Sequence, residues 1–230
     1  HHPRKTELRQ IMKKLDLSQT QAQDVRQLIK QGHKDQNVYR QDMHEIRSQL
    51  KNLLQGTAWD QQAIETVLLQ RMDLNGQIAW QQANKKNQVW QLLTPQQQSE
   101  FVLLIKQRNN KEHKHQKPFK FLVSLDLDVE QEVEIDKIRA DFKTLTSGLK
   151  AKHKEFRQAQ LALINSDRLA ESDWQALEVK YQDDFLAMAI AKAQSRYNIW
   201  NVLNTAQQTQ LLEKNQERQQ KRHSSNRDHL

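Results

Sequence analysis

Four short segments of this chain share one pattern: a leucine, a helix-capping residue, two variable positions and a glutamine. They are Leu17-Ser18 with Gln21, Leu93-Thr94 with Gln97, Leu127-Asp128 with Gln131, and Leu203-Asn204 with Gln207. The spacing from Leu17 to Leu93 equals that from Leu127 to Leu203. The pattern predicts helix starts. Ser, Thr, Asp and Asn accept a hydrogen bond from an orphan N–H of the first turn. A glutamine three residues later returns one to the cap's own N–H, forming a capping box. Pro95 falls at the first helical position, where a missing N–H costs nothing. A hydrophobic staple would need an apolar residue four after the cap, and those positions hold Ala22, Gln98, Glu132 and Gln208.

The halves align at an offset of 110. Leu15-Asp16-Leu17 recurs as Leu125-Asp126-Leu127, Trp90 as Trp200, Gln97-Gln98 as Gln207-Gln208, and Leu53-Leu54 as Leu163-Ile164. Gln62-Ala63-Ile64-Glu65 resembles Gln175-Ala176-Leu177-Glu178 at an offset of 113, so one loop is expected to be three residues longer in the second copy and the next helix three shorter. The predicted organisation is a first repeat over residues 1–108, a basic linker over 109–124, a second repeat over 125–218 and a polar, frayed tail over 219–230. The predicted fold is all-α, with about four helices per repeat in a thin, cradle-like layer.

Ile135, Ile138, Phe142, Leu145 and Leu149 step by three and four, and Phe156 and Leu163 continue the stripe through Lys152 and Ala159. This predicts one long amphipathic helix in the second copy. Its counterpart in the first copy runs Val25, Leu28, Gly32, Asp35, Tyr39, Ile46 and Leu53, so a kink or break is expected at Gly32 to Asp35. Residues 60–92 and 172–202 are predicted as the next helices. Pro118 marks the linker, where Phe119, Phe121, Leu122 and Val123 form an apolar patch expected to tuck against a helix layer.

Only 36% of residues are hydrophobic, with 4 Gly and 3 Pro, which favours thin helical layers over a thick core. The net charge of +8 and pI of about 9.6 imply attraction to anionic partners. The chain has no cysteine, which excludes disulfides and thiol chemistry. No apolar run approaches the ~20 residues of a membrane span. No signal peptide is visible, and a start at His1-His2 points to an upstream segment or tag that has been removed.

Catalysis finds no support, since there is no glycine-rich phosphate loop and no nucleophile elbow. Asp128 reads as a cap and Asp183-Asp184 as a solvated face. Metal binding rests on His113-Lys114-His115 beside Glu112 and on His33 and His44, which lack helical i, i+4 spacing; no metal and no cofactor is expected. A nucleic-acid reading rests on Lys150, Lys152, Lys154 and Arg157 around Phe156, but the aromatics fall on the apolar stripe, so core packing is the better account. Candidate residues for attracting an anionic partner are Arg47, Lys51, Arg71, Lys85 and Lys86 in the first copy and Lys150, Lys154 and Arg157 in the second, where Arg157 aligns with Arg47.

The segment from Val89 through Trp90, Leu93-Thr94-Pro95 and Gln97 resembles the second LTxxQ motif of the Spy/CpxP family. Leu17-Ser18-Gln19-Thr20-Gln21 resembles the first, and Trp59-Asp60 resembles the family's start of a long polar helix. The second copy is more diverged, with Asp128 and Asn204 in place of Thr. The resemblance implies a periplasmic helical protein of a family whose members are often cradle-shaped homodimers. Spy-like members hold unfolded clients without ATP on a basic, partly apolar concave surface. CpxP-like members restrain an envelope-stress sensor kinase, and related members bind zinc, nickel or cobalt. Two fused copies imply a monomeric, pseudo-symmetric cradle whose halves differ in client surface, with no nucleic-acid partner.

Overall fold

The computed structural model describes residues 11–112, 122 and 125–227. Among these the chain is all-α, without a strand. The helices are α1 (Gln19–Leu54), α2 (Gln61–Gln91), α3 (Pro95–Glu112), α4 (Val129–Thr146), α5 (Leu149–Ile164), α6 (Glu171–Val202) and α7 (Thr205–Arg227). A helical turn at Ile11 and Met12 precedes them. None is long and apolar enough to cross a membrane.

All four predicted capping boxes form. Ser18 and Gln21 exchange bonds at 3.0 and 3.2 Å, Thr94 and Gln97 at 3.0 and 3.3 Å, Asp128 and Gln131 at 3.2 and 2.8 Å, and Asn204 and Gln207 at 2.9 and 3.0 Å. The glutamines do more than cap. The Gln21 amide donates to the Leu92 carbonyl at 2.7 Å and to Gln97 Oε1 at 2.9 Å. The Gln97 amide donates back to Gln21 Oε1 at 3.2 Å and to the Asp16 carbonyl at 2.5 Å. The same set recurs at the aligned positions. Gln131 donates to the Val202 carbonyl and to Gln207 Oε1, and Gln207 to the Asp126 carbonyl and to Gln131 Oε1. Each pair thereby ties two helix N-termini together through facing amides. Around each lies a small core: Met12, Leu15, Val25, Val89, Leu93 and Phe101 at one end, and Leu122, Leu125, Ile135, Ile199 and Leu203 at the other.

Helices α2 and α6 run antiparallel along each other. Leu68 shares a cluster with Leu186, Gly76 meets Glu178, and Trp80 lies 6.2 Å from Trp174. Two further cores straddle this crossing. Leu50, Leu54 and Ile64 pack on Leu186, Ala189, Ile190 and Ala193. Leu163, Ile164, Leu169 and Trp174 pack on Ala79, Trp80 and Ala83. The corner between α1 and α2 therefore rests on α6, and the corner between α5 and α6 rests on α2. Polar bonds follow suit: Tyr197 Oη donates to the Thr57 carbonyl at 3.1 Å, and Asn87 Nδ2 to the carbonyls of Ile164 and Ser166 at 2.8 and 2.9 Å.

Several expectations are corrected. The helix does not break at Gly32 to Asp35; α1 is continuous, because its apolar face resumes with Tyr39, Met43 and Ile46 against α2. The interruption lies instead in the second half of the chain, at Ser147-Gly148, where Ser147 N–H turns to the Thr144 carbonyl and the Thr144, Thr146 and Ser147 hydroxyls bond to main-chain carbonyls. Such back-bonding competes with the helix ladder. The stripe slips by one position there: Leu145 is 66% exposed while Thr146 is buried. The expected difference in loop length is absent. Helices α2 and α6 begin at Gln61 and Glu171, which keep the offset of 110, so the match at 113 is coincidental. Helix α3 runs to Glu112, into the expected linker, and α7 continues to Arg227 through the expected tail, where no Gly or Pro stops it. Leu122 of the apolar patch is buried beside Leu125; Phe119, Phe121 and Val123 lie outside the described residues.

Replacing Gln207 by Ala strips partners from the Asn204 N–H, the Asp126 carbonyl and the Gln131 amide. A loss of about 2–4 kcal/mol is expected in urea unfolding, with a Gln131→Ala second change adding much less than its own effect. Additive losses would count against a coupled pair. Gly148 already has helical backbone angles, φ −71 and ψ −31, and open space where a Cβ would sit. Gly148→Ala should raise stability by roughly 0.5–1 kcal/mol and raise helical circular dichroism. A lowered melting temperature would contradict it.

Candidate functional site

Between α2 and α6, with walls from α1 and α5, lies an open cleft of about 1340 Å³. Its apolar floor includes Leu50, Leu54, Leu68, Ala189 and Ala193, the outer edges of the corner cores. Leu69 and Val179, which align with each other at the offset of 110, project into it and are 37% and 69% exposed. Met72 and Met188 add pliable apolar surface.

One end of the cleft is cationic. Arg71 of α2 and Lys192 and Arg196 of α6 line it, the last two one helical turn apart. Burial against the cleft wall and the nearby Arg47 guanidinium lower the Arg71 pKa. Burial, then Arg196 and Arg71, lower that of Lys192; burial, then Arg71, lower that of Arg196. The four cations thus share one repulsive field. The other end is aromatic. Phe156 meets Tyr181 edge-on at 5.4 Å and Phe185 at 4.6 Å, and His153 lies 4.5 Å from Phe185. Burial lowers the His153 pKa, as does Arg157, against an opposing pull from Asp184.

Beyond Phe185, toward the start of α6, the Glu178 carboxylate sits over Gly76, where a Cβ would come within 3.1 Å of it. The aligned positions are Leu68 and Leu186, which pack together. One side of the crossing is therefore apolar and the other carries a charge. Burial raises the Glu178 pKa above its ordinary 4.5; the Trp174 indole opposes the shift and Asp73 reinforces it.

Of the predicted anion-attracting residues, Arg71 and Arg157 line the cleft and Arg47 stands beside Arg71. Lys51, Lys85, Lys86, Lys150 and Lys154 are not part of its lining. Sequence reasoning missed Lys192 and Arg196. Their i, i+4 spacing was visible, but the aligned positions are Gln82 and Lys86, so no doubled charge drew attention to them. Phe156 belongs to the aromatic cluster, and Lys152 is bonded to Asp184 at 2.6 Å, which raises its pKa. His113 and His115 lie outside the described residues; among those described, no three potential metal ligands converge.

Comparison of the chain with family models, with curated proteins and with solved structures gave no match.

The raised Glu178 pKa has a defined sign. The folded chain holds this proton more tightly than the unfolded chain, so the group's contribution to stability is fully present below pH 4.5 and is lost as pH rises through the folded value. Glu178→Gln should therefore be more stable than the parent at pH 7 and no longer more stable near pH 3.5. Urea midpoints measured across that range test this, and a difference that does not change with pH would refute it.

Proposed function

We propose that this chain is a tandem duplication of a Spy/CpxP-like helical domain and acts as a periplasmic, ATP-independent chaperone that holds unfolded clients in the α2–α6 cleft. The observation that carries the reading is the cleft itself, in which exposed Leu69 and Val179 stand between cationic side chains. A basic field attracts acidic unfolded segments over a distance set by ionic strength. Scattered apolar side chains then hold exposed hydrophobic groups through contacts that are individually weak.

Support for duplication comes from the paired glutamine networks, which repeat bond for bond at an offset of 110. The exchange of corner cores across the antiparallel α2–α6 crossing supports an internal pseudo-two-fold. An isologous dimer interface has this self-complementary form. On this reading the fused halves reproduce a family homodimer and the chain is monomeric.

The experiment is light scattering by an aggregating client with this protein and no nucleotide, at low and high salt. Suppression at near-stoichiometric ratios, weakened by salt, is the expected result, and Leu69→Ser with Val179→Ser should reduce it. Absence of suppression at both salts, with saturable binding to one folded sensor-kinase periplasmic domain, would replace this reading by that of a CpxP-like regulator. A stoichiometric zinc titration would favour a metal-binding stress protein.

A further inference from the structure

The two ends of the cleft occupy positions that align at the offset of 110, yet they differ in chemistry. Arg71, Lys192 and Arg196 in the cleft, with Arg47 beside Arg71, align with Tyr181, Gln82, Lys86 and Arg157, of which only Arg157 lines the cleft. Met43, Ile46 and Asn75 align with His153, Phe156 and Phe185 of the aromatic cluster. On the duplication reading, two matching ends have become two different ones.

None of Arg47, Arg71, Lys192 and Arg196 forms a hydrogen bond or ion pair with an acidic side chain among the described residues. Their charges press on one another in a partly desolvated cleft, so an arriving carboxylate relieves repulsion as well as forming bonds. Arginine forks suit carboxylate geometry, two parallel N–H donors to two oxygens. The aromatic end offers ring edges and faces that suit an aromatic or large apolar side chain.

We infer that the cleft reads clients with polarity: it takes a polypeptide segment whose acidic residues lie about five positions from an aromatic residue. The spacing follows from α6, which carries both ends. Phe185, the α6 aromatic residue in the cleft lining, precedes Lys192 by seven residues and Arg196 by eleven, which is about 10 to 16 Å at 1.5 Å per residue. An extended segment covers the longer of these spans, from Phe185 to Arg196, in about five residues at ~3.3 Å each. The carboxylate of Glu178 lies among the apolar lining and disfavours acidic groups away from the cationic end. This inference rests on the chaperone reading and specifies what the same cleft selects.

The test uses the full chain and fluorescein-labelled twelve-residue peptides in anisotropy titrations. One peptide carries Glu-Glu five positions from Trp in a neutral, flexible background. Others keep the composition with the spacing reduced to one, or lack the acids, or lack the Trp. The spaced peptide is expected to bind about tenfold more tightly than any of the others. Lys192→Ala with Arg196→Ala should reduce it to the level of the acid-free peptide and abolish its salt dependence. Phe185→Ala should reduce it to the level of the Trp-free peptide, with helical circular dichroism showing that each variant folds.

Equal binding of all acidic peptides regardless of spacing would overturn the inference, as would unchanged affinity in the Lys192/Arg196 variant. Equal competition by single-stranded DNA or by inorganic phosphate at matched charge would also overturn it, because the site would then be a general anion trap. The two readings fail separately. Client aggregation suppressed without spacing preference leaves the chaperone and removes the polarity. Spacing-dependent peptide binding without suppression leaves a polar peptide cleft and removes the chaperone.

Discussion

The facing glutamine amides are the interaction on which the rest of the structure depends. A helix begins with four N–H groups that have no partner within it, and each must be satisfied where it is shielded from water. Here one side chain caps its own helix with its oxygen and directs its nitrogen to the oxygen of the facing glutamine and to a main-chain carbonyl. Two helix starts distant in sequence are thereby fixed at one point. In the second half both glutamines are buried, so loss of either leaves several unmatched polar atoms at once.

With those ends fixed, the long helices extend outward as levers, and their far ends need a different solution. A corner such as residues 55–60 carries apolar flanks, Leu54 and Ile64, that its own half does not cover. The other half covers them with the small residues Ala189 and Ala193, which let helix axes approach closely, and the reverse pairing uses Ala79 and Ala83. The cleft lies alongside this exchange. Its walls cannot move independently of the corners, because Leu50, Leu54 and Ala193 belong to both.

The helix starts and the all-helical class were legible because capping is local chemistry and shows in a few residues. Ser18, Thr94, Asp128 and Asn204 all cap as predicted. Reciprocal pairing of the glutamines was not legible, since it joins side chains far apart in the chain and nothing in a single window signals it. Gly32 was overweighted as a helix breaker: tertiary packing of the flanking turns outweighs about 1 kcal/mol of propensity. The run of hydroxyls at Thr144, Thr146 and Ser147 was underweighted, although it ends α4. In the cleft, Arg71, Arg157 and Arg47 were found by charge and alignment, whereas Lys192 and Arg196 were hidden on a helix read for its apolar residues. The Phe156 cluster was assigned to core packing, which is half of its description, because it also forms a wall of the cleft.

The exchange of corners has a consequence for biosynthesis. Leu50, Leu54 and Ile64 emerge from the ribosome long before Ala193, which completes their core. At synthesis rates of about 5–20 residues per second, that surface stays uncovered for roughly ten seconds. A nascent first half therefore carries an exposed apolar corner, and the second half of its own chain is the partner that covers it.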